Sequence, residues 1–167
     1  MSSQRAIDPQ LHTTLVSIYE EIMWLSARPK VTPSLARAWY THVMSVPLKR
    51  RLCCFTGKVS GSAIADRKGP LRLEHFKRIQ TTLTSLVKRH RAEQLNDPDD
   101  FVRTVVRCEQ VHIVTFDENY AARKAKGSYR EAGITLVPWK QIDPTRRTEL
   151  WQRMLRGKVA NADAFKP

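Results

Sequence analysis

The sequence predicts an α+β fold class: a mostly helical single domain of about six helices with a small sheet. Three observations support this prediction. Four segments begin with a capping residue followed by proline, which is a common start of a helix. Several of the segments that follow carry apolar residues at helical spacing. Two short apolar stretches between residues 110 and 139 flank one more helix, and this order predicts a βαβ unit.

Residues 1–45 are predicted to form a neutral helical pair. The chain's four capping pairs are Asp8-Pro9, Thr32-Pro33, Asp97-Pro98 and Asp143-Pro144. Asp or Thr accepts a backbone hydrogen bond at the N-cap, and proline lacks only a donor that has no partner at that position. The first two pairs predict helices from Pro9 to about Ala27 and from Pro33 to about Met44. We expect this nearly uncharged pair to serve as a scaffold or a subunit contact.

Residues 46–95 are predicted to form a basic loop or hairpin followed by a central amphipathic helix. Leu48–Phe55 and Val59–Ala65 have strand-like compositions and flank the turn signal Thr56-Gly57. Leu71–Leu95 carries apolar residues on one helical face and cations on the other. On one helix, four of these cations would form a straight strip: Lys77, Arg78, Lys88 and Arg89.

Residues 96–157 are predicted to form a helix, the βαβ unit and a last helix. The first helix runs from Pro98 to about Cys108. QVHIVTF and ITLVPW have the composition of strands, and a capping box of Thr115 and Glu118 starts the helix between them. Because connections of this kind are right-handed and parallel by strong default, we expect the two strands to be parallel. The last helix extends from Pro144 to about Arg156, and residues 158–167 form an extended tail.

The composition predicts a soluble, cytoplasmic protein. No apolar run reaches the roughly 18 residues of a membrane span, and the N-terminal MSSQRAIDPQ lacks the apolar stretch of a secretory signal. The three cysteines, two of them adjacent, form no disulfide framework and fit a reducing compartment. We therefore expect no membrane contact.

The net charge of +13 is concentrated in parts of the chain. The number of Lys and Arg residues minus the number of Asp and Glu residues is +1 for residues 1–45 (4 against 3) and +9 for residues 46–95 (12 against 3). The same difference is −1 for residues 96–133 (6 against 7) and +4 for residues 134–167 (7 against 3). Such local basicity is typical of a surface that binds a polyanion. We expect a nucleic-acid-binding protein, without a catalytic site, that serves as a subunit of a larger nucleoprotein complex beside other protein subunits.

The expected contacts are with the phosphate backbone, because no motif for reading bases is visible. DNA and RNA both remain open, and a scaffold that binds an acidic protein is an alternative. Eighteen of the 29 cations are Arg, whose planar group matches phosphate. The candidate phosphate contacts are Lys49, Arg50, Arg51, Lys58, Arg67, Lys68, Arg72, Lys77, Arg78, Lys88, Arg89, Arg91, Arg146, Arg147 and Arg153.

A catalytic alternative comes from the string VHIVTFDENYAARK, which resembles the pattern of HNH nucleases. The resemblance implies that His112 acts as a general base and that Asn119 orients the site, in a metal-dependent nuclease. The chain departs from the pattern because cations, including Arg123 and Lys124, stand where the helix would supply a further metal ligand. The capping box alone also explains the polar residues at the start of this helix.

We expect no metal and no other cofactor. A zinc site is the alternative, built from Cys54, His75, Cys108 and His112. Only Cys108 and His112 are close in sequence, and the paired spacings typical of structural zinc sites are absent. The glycine-rich phosphate-binding motifs and the serine nucleophile motif are absent as well.

Overall fold

A computed structural model describes residues 7–167, and the chain divides into two compact units. Unit 1 comprises Met1–Leu48 and Ile79–Arg107, and unit 2 comprises Lys49–Arg78 and Cys108–Pro167. The predicted α+β fold class is confirmed, since the described residues form many helices and one mixed four-stranded sheet. That residues 1–167 act as a single domain stays a prediction. Among the described residues, no helix has the length and apolar character that a bilayer span requires.

The helices are α1 (Pro9–Ser26), α2 (Pro33–Ala38), α3 (Ser45–Leu52), α4 (Gly61–Ala65), α5 (Ile79–Ala92), α6 (Pro98–Cys108), α7 (Phe116–Lys124) and α8 (Pro144–Leu150). The strands are β1 (Cys54–Ser60), β2 (Leu71–His75), β3 (Gln110–Thr115) and β4 (Leu136–Pro138). π-Helical turns continue α2 and α8 over Trp39–Met44 and Trp151–Leu155. Short 3-10 turns cover Trp139–Gln141 and Ala162–Phe165.

Unit 1 is helical, and α1, α2 and α6 begin where the capping pairs predict. The Asp8 carboxylate accepts from the Leu11 amide at 2.9 Å, and the Thr32 hydroxyl accepts from the Leu35 amide at 3.2 Å. Tyr19 lies in the core, where its hydroxyl is 2.8 Å from Nδ1 of His90 and its ring packs against Phe101. The predicted apolar stripe of α1 is buried: Leu11, Leu15, Ile18 and Ile22.

Unit 2 is built on the sheet, whose strand order is β2-β3-β1-β4. β1 is parallel to β3 and antiparallel to β4, and β2 is antiparallel to β3. One face of the sheet packs on α8 and its π-turn, with Phe55, Val111, Ile113, Leu150 and Leu155 in the shared core. Side chains alternate along each strand, so the opposite face carries Arg72, Glu74 and His112 together with the buried Val114.

The predicted hairpin around Thr56-Gly57 is wrong. Its first strand is largely the helix α3, and β1 continues through the turn signal. Gly57 has a φ of +79°, and the register of β1 with β3 shifts between Phe55 and Val59. Glycine therefore supports a local irregularity within one strand, where its lack of a side chain permits the positive φ.

The predicted central helix from Leu71 to Leu95 is also wrong in its first part. Leu71–His75 forms β2, and α5 begins only at Ile79. Leu71 and Leu73 alternate with the exposed Arg72, and pairing with β3 fixes this alternation as a strand. Tertiary pairing thus prevails over the helical spacing of the apolar residues. The straight strip of cations does not exist, because Lys77 and Arg78 lie outside α5.

The predicted βαβ unit has the right order of elements and the wrong strand direction. β3, α7 and β4 follow one another as expected, but β4 is antiparallel to β1, which is itself parallel to β3. The place beside β3 is taken by β1, so β4 pairs at the other side of β1. The parallel pair of this sheet is therefore β1 with β3, and the connection between those two strands is much longer.

Residues 158–167 are not the extended tail that the sequence predicts. Asn161 bonds both backbone groups of Phe55, with its Oδ1 at 2.9 Å from the amide and its Nδ2 at 2.8 Å from the carbonyl oxygen. The ring of Phe165 lies 4.8 Å from that of Phe55 and also contacts Trp139. The C-terminal segment is thus part of the core of unit 2.

Candidate nucleic-acid interface

The positive charge of the chain belongs mainly to unit 2. Its sequence holds 20 Lys and Arg against 9 Asp and Glu, which is +11, whereas unit 1 holds 9 against 7, which is +2. The two values together give the total of +13. Unit 2 is therefore the more favourable of the two units for binding a polyanion.

Burial makes the surface of unit 2 more basic than its composition. Of its residues, all of which are described, 16 cations are exposed and only four carboxylates are: Asp117, Glu131, Asp143 and Asp163. Glu74 and Glu109 are buried, and Glu118 is partly buried in the capping box of α7. The exposed cations are Lys49, Arg50, Lys58, Arg67, Lys68, Arg72, Lys77, Arg78, Arg123, Lys124, Lys126, Arg130, Lys140, Arg156, Lys158 and Lys166.

Five of these cations form the β2–α7 basic cluster: Lys77, Arg78, Arg123, Lys124 and Lys126. The Arg78 guanidinium donates to the carbonyl oxygen of Arg123 at 2.6 Å, which joins the segment after β2 to the end of α7. Cations at a helix C-terminus also interact favourably with the helix dipole, so the fold tolerates their concentration there. The positive φ of Lys126, +53°, then lets the chain leave the helix.

A second basic feature is the loop of residues 66–69, which presents Arg67 and Lys68 to solvent. The Asp66 carboxylate accepts from the amides of Gly69 at 2.7 Å and Lys68 at 3.1 Å, and these hydrogen bonds lower the pKa of Asp66. Arg153, which is half-buried, donates to the carbonyl oxygens of Arg67 and Gly69. The loop is therefore held in one conformation by side chains beneath it.

The prediction that Arg146 contacts phosphate is wrong, because this side chain is not at the surface. Its side chain is buried, and the guanidinium donates to the carbonyl oxygens of Ala63 and Asp66 at 2.8 Å and of Ile64 at 3.0 Å. A further bond of 2.7 Å joins it to the Glu149 carboxylate. Its role is to hold the segment that leads into the loop of residues 66–69.

The structure distributes the other predicted contacts over both units. Lys49, Arg50, Lys58 and Arg72 are exposed in unit 2, and Arg51 and Arg147 are half-buried there. Lys88, Arg89 and Arg91 lie on α5 in unit 1, where Arg89 forms an ion pair with Asp100. The predicted set therefore does not form one continuous strip on one element.

Sequence reasoning missed the contribution of α7 to this surface. Arg123, Lys124 and Lys126 stand in a segment whose net charge is −1 in the chain-order count, so no local excess marked them. Their neighbours in space, Lys77 and Arg78, are about 45 positions earlier in sequence, as the Arg78–Arg123 bond shows. A charge count for each compact unit would have found them. The division into units depends on tertiary contacts, so it cannot be made from the sequence alone.

His112, the candidate general base, is buried in the middle of β3. Its Nδ1 lies 2.5 Å from the Thr56 hydroxyl, and its ring stacks on Phe76 at 4.7 Å between centroids. Burial, with a smaller effect of the nearby Lys58 charge, lowers the pKa of His112 to about 4. An efficient general base has a pKa nearer the working pH.

The neighbours of His112 complete a closed polar cluster on this face of the sheet. Glu74 pairs with His112 across β2 and β3, and its buried carboxylate accepts from the Tyr129 hydroxyl. Burial raises the pKa of Glu74. No hydrogen bond joins His112 to Asn119 within residues 7–167. The nuclease alternative that uses His112 and Asn119 stays a prediction.

The alternative zinc set is not brought together. Among residues 7–167, no group of three or more His, Cys, Asp or Glu side chains is arranged to hold a metal ion. His75 instead lies 3.0 Å from the Glu109 carboxylate, and His112 lies against Thr56. Cys108 is buried at the end of α6. These residues pack within the fold.

No protein-family model matches the chain, and no curated protein and no solved structure matches it at a significant level. The class that the fold and surface define is an α+β protein with one strongly basic unit.

Proposed function

We propose that this protein binds nucleic acid through the phosphate backbone, with unit 2 as the binding unit. The observation that carries the proposal is the excess of 16 exposed cations over four exposed carboxylates in this unit. Phosphates are bound by charge and by hydrogen-bond donors, and such contacts do not depend on sequence. We propose further that it acts as a non-catalytic subunit of a nucleoprotein complex.

The residues beside the β2–α7 basic cluster favour nucleic acid over an acidic protein. Two aromatic side chains of α7 are exposed, Phe116 at 46% and Tyr120 at 55%. The Arg72 guanidinium lies 5.1 Å from the centre of the Phe116 ring, and the Lys124 ammonium lies 4.7 Å from that of Tyr120. Aromatic rings between cations are typical of single-strand binding, because bases stack on the rings while cations meet the phosphates.

The test is a titration of labelled single- and double-stranded DNA and RNA by fluorescence anisotropy at several salt concentrations. The test variant replaces the five cations of the β2–α7 basic cluster by Gln. Each phosphate contact adds about 0.9 to the slope of log affinity against log salt for duplex DNA and about 0.7 for single strands. If all five contact phosphate, the slope falls by about 4.5 or 3.5 respectively.

A matched variant controls for the change in net charge. It replaces five exposed cations of unit 1 by Gln: Arg28, Lys30, Lys88, Arg91 and Arg107. We expect this variant to keep most of the salt slope. Equal slopes for the two variants would contradict the placement of the binding surface in unit 2, and an absence of binding by the natural protein would contradict the proposal itself.

The same samples test the nuclease alternative. The natural protein and His112→Gln are incubated with each nucleic acid, with and without Mg²⁺, and the products are separated by size. We expect intact substrate throughout, because His112 is buried and held by Thr56. Cleavage that requires Mg²⁺ and disappears in His112→Gln would establish the nuclease alternative.

A further inference from the structure

Helix α7 presents two aromatic rings to solvent on the side away from the sheet. Phe116 and Tyr120 are exposed, whereas Ala122 is buried where α7 packs on β2 and β3. The two aromatic residues are four positions apart, so they lie on one face of the helix and roughly 6 Å apart along its axis. Asp117, an exposed carboxylate of α7, is turned about 100° from Phe116 around the same axis. The rings therefore lie at the centre of the solvent face of this helix.

Each ring has a cation over one face and keeps the other face available. The Arg72 guanidinium lies 5.1 Å from the centre of the Phe116 ring. The Lys124 ammonium lies 4.7 Å from the centre of the Tyr120 ring. Since about half of each aromatic residue is exposed, a planar base can stack on the second face while the cation stays on the first.

Hydrogen bonds hold the start of α7 in place. The Phe116 amide donates to the carbonyl oxygen of Pro70 at 3.0 Å, which joins the helix to the segment before β2. The capping box of Thr115 and Glu118 closes the first turn. A surface that is ordered before binding loses little conformational freedom when it binds, so more of the stacking free energy appears as affinity.

The spacing of the two rings suits unpaired bases better than a duplex. In a duplex, successive nucleotides of one strand are about 3.4 Å apart along the axis. A side-chain ring reaches the face of such a base only where the stack opens, and opening it costs free energy. Unpaired bases separate to the roughly 6 Å spacing of the rings without breaking base pairs. The Phe116 side chain also has no group that hydrogen-bonds a base edge in a groove.

We infer that unit 2 binds single-stranded nucleic acid in preference to duplex, with two consecutive bases stacked on Phe116 and Tyr120. The inference rests on the proposed function and names its substrate class. Lys124, which belongs to the β2–α7 basic cluster, is one turn beyond Tyr120, so the phosphates of the same strand meet this cluster. Every base has two π-faces, so the rings accept DNA and RNA alike. The phosphate contacts depend on salt, whereas stacking does not release counterions.

The test is a fluorescence-anisotropy titration of labelled oligothymidylate, alone and paired with oligoadenylate, at several salt concentrations. The test variant is Phe116→Ala with Tyr120→Ala. Stacking on one aromatic side chain strengthens binding by at least about fivefold per base, so we expect this variant to bind the single strand about 25-fold or more weakly. We expect its affinity for the duplex and its salt slopes to stay nearly those of the natural protein, because the phosphate contacts remain.

Two controls separate stacking from other effects. Phe116→Tyr with Tyr120→Phe keeps both rings and the composition of the chain, and we expect it to bind as the natural protein does. Trp24 is also exposed, with the Arg28 guanidinium 4.8 Å from its ring centre, but it lies in unit 1, whose net charge is only +2. We expect Trp24→Ala to leave binding unchanged. Circular dichroism checks that all variants are folded.

The outcomes distinguish this inference from the proposed function. The inference alone is overturned if the alanine variant loses equal affinity for both forms or for neither, or if the natural protein binds the duplex more tightly. It is also overturned if the exchange of the two rings weakens binding as much as their removal. An absence of binding to either form would overturn the proposed function together with the inference.

Discussion

Arg146 offers the sharpest test of how unit 2 holds its basic loop. Its guanidinium is the only donor in the described structure that bonds the carbonyl oxygens of Ala63, Ile64 and Asp66 together. Replacement by Met keeps the unbranched apolar stem and removes all of these donors. The three oxygens must then find water or remain unpaired, and the chain around Ala63 and Ile64 is buried or half-buried.

The magnitude follows from the contacts. A buried acceptor that loses its partner costs about 1–3 kcal/mol, and hydrogen bonds to a charged donor lie at the upper end. Since Asp66 is half-exposed and its carbonyl can be rehydrated, the three losses will not add in full. We expect Arg146→Met to lower the free energy of unfolding by about 3–5 kcal/mol. Arg146→Lys should lie between, because one ammonium cannot meet three separated oxygens.

Urea denaturation followed by circular dichroism measures the effect. Arg130→Met is the matched control, because Arg130 is exposed in the same unit and a surface change of this kind usually stays within about 0.5 kcal/mol. A midpoint for Arg146→Met equal to that of Arg130→Met would refute the reasoning. So would a natural stability for Arg146→Lys, since the charge alone would then account for the effect.

Two further predictions concern residues of unit 2. Burial lowers the pKa of His112 from 6.5 to about 4. As the pH falls, the unfolded chain therefore takes up a proton on His112 before the folded protein does. The free energy of unfolding should fall by about 3 kcal/mol between pH 6.5 and 4. Denaturation at several pH values should show this loss reduced in His112→Gln, and an unchanged pH dependence would contradict the assignment. Thr115 and Glu118 form a reciprocal capping box at 3.1 and 3.0 Å, so Thr115→Ala should cost about 1 kcal/mol. Thr145→Ala, an exposed site at the start of α8, should change stability little by the same measurement, and equal losses would contradict the role of the cap.

The starts of helices could be predicted from sequence because the signals are local. Asp8, Thr32, Asp143 and Thr115 all accept the amide hydrogen bonds expected of N-caps. These bonds join residues two or three positions apart, so no tertiary information is needed to anticipate them. The buried stripe of α1 follows in the same way from spacing along one helix.

The strands could not be predicted with equal success because their partners are distant in sequence. Leu71–His75 has apolar spacing compatible with a helix, and only its antiparallel pairing with β3, about 40 residues later, makes it a strand. β1 likewise pairs in parallel with β3 across the residues of α5 and α6. Neither partner can be read from local composition, so the hairpin and the parallel βαβ unit were plausible and wrong.

The same distinction explains what sequence could say about the binding surface. A count of charges finds the excess of cations, but whether a charge reaches solvent depends on packing. Arg146 looked like a surface cation and is buried, while Glu74 and Glu109 looked like compensating anions and are also buried. Because two carboxylates and one arginine are buried, the net charge of the exposed residues of unit 2 is more positive than the net charge of its whole sequence. A buried charge remains bonded to its neighbours and contributes little to long-range attraction in salt, whereas the exposed cations act directly on a polyanion. The quantity that bears on nucleic-acid binding is therefore the exposed charge of unit 2.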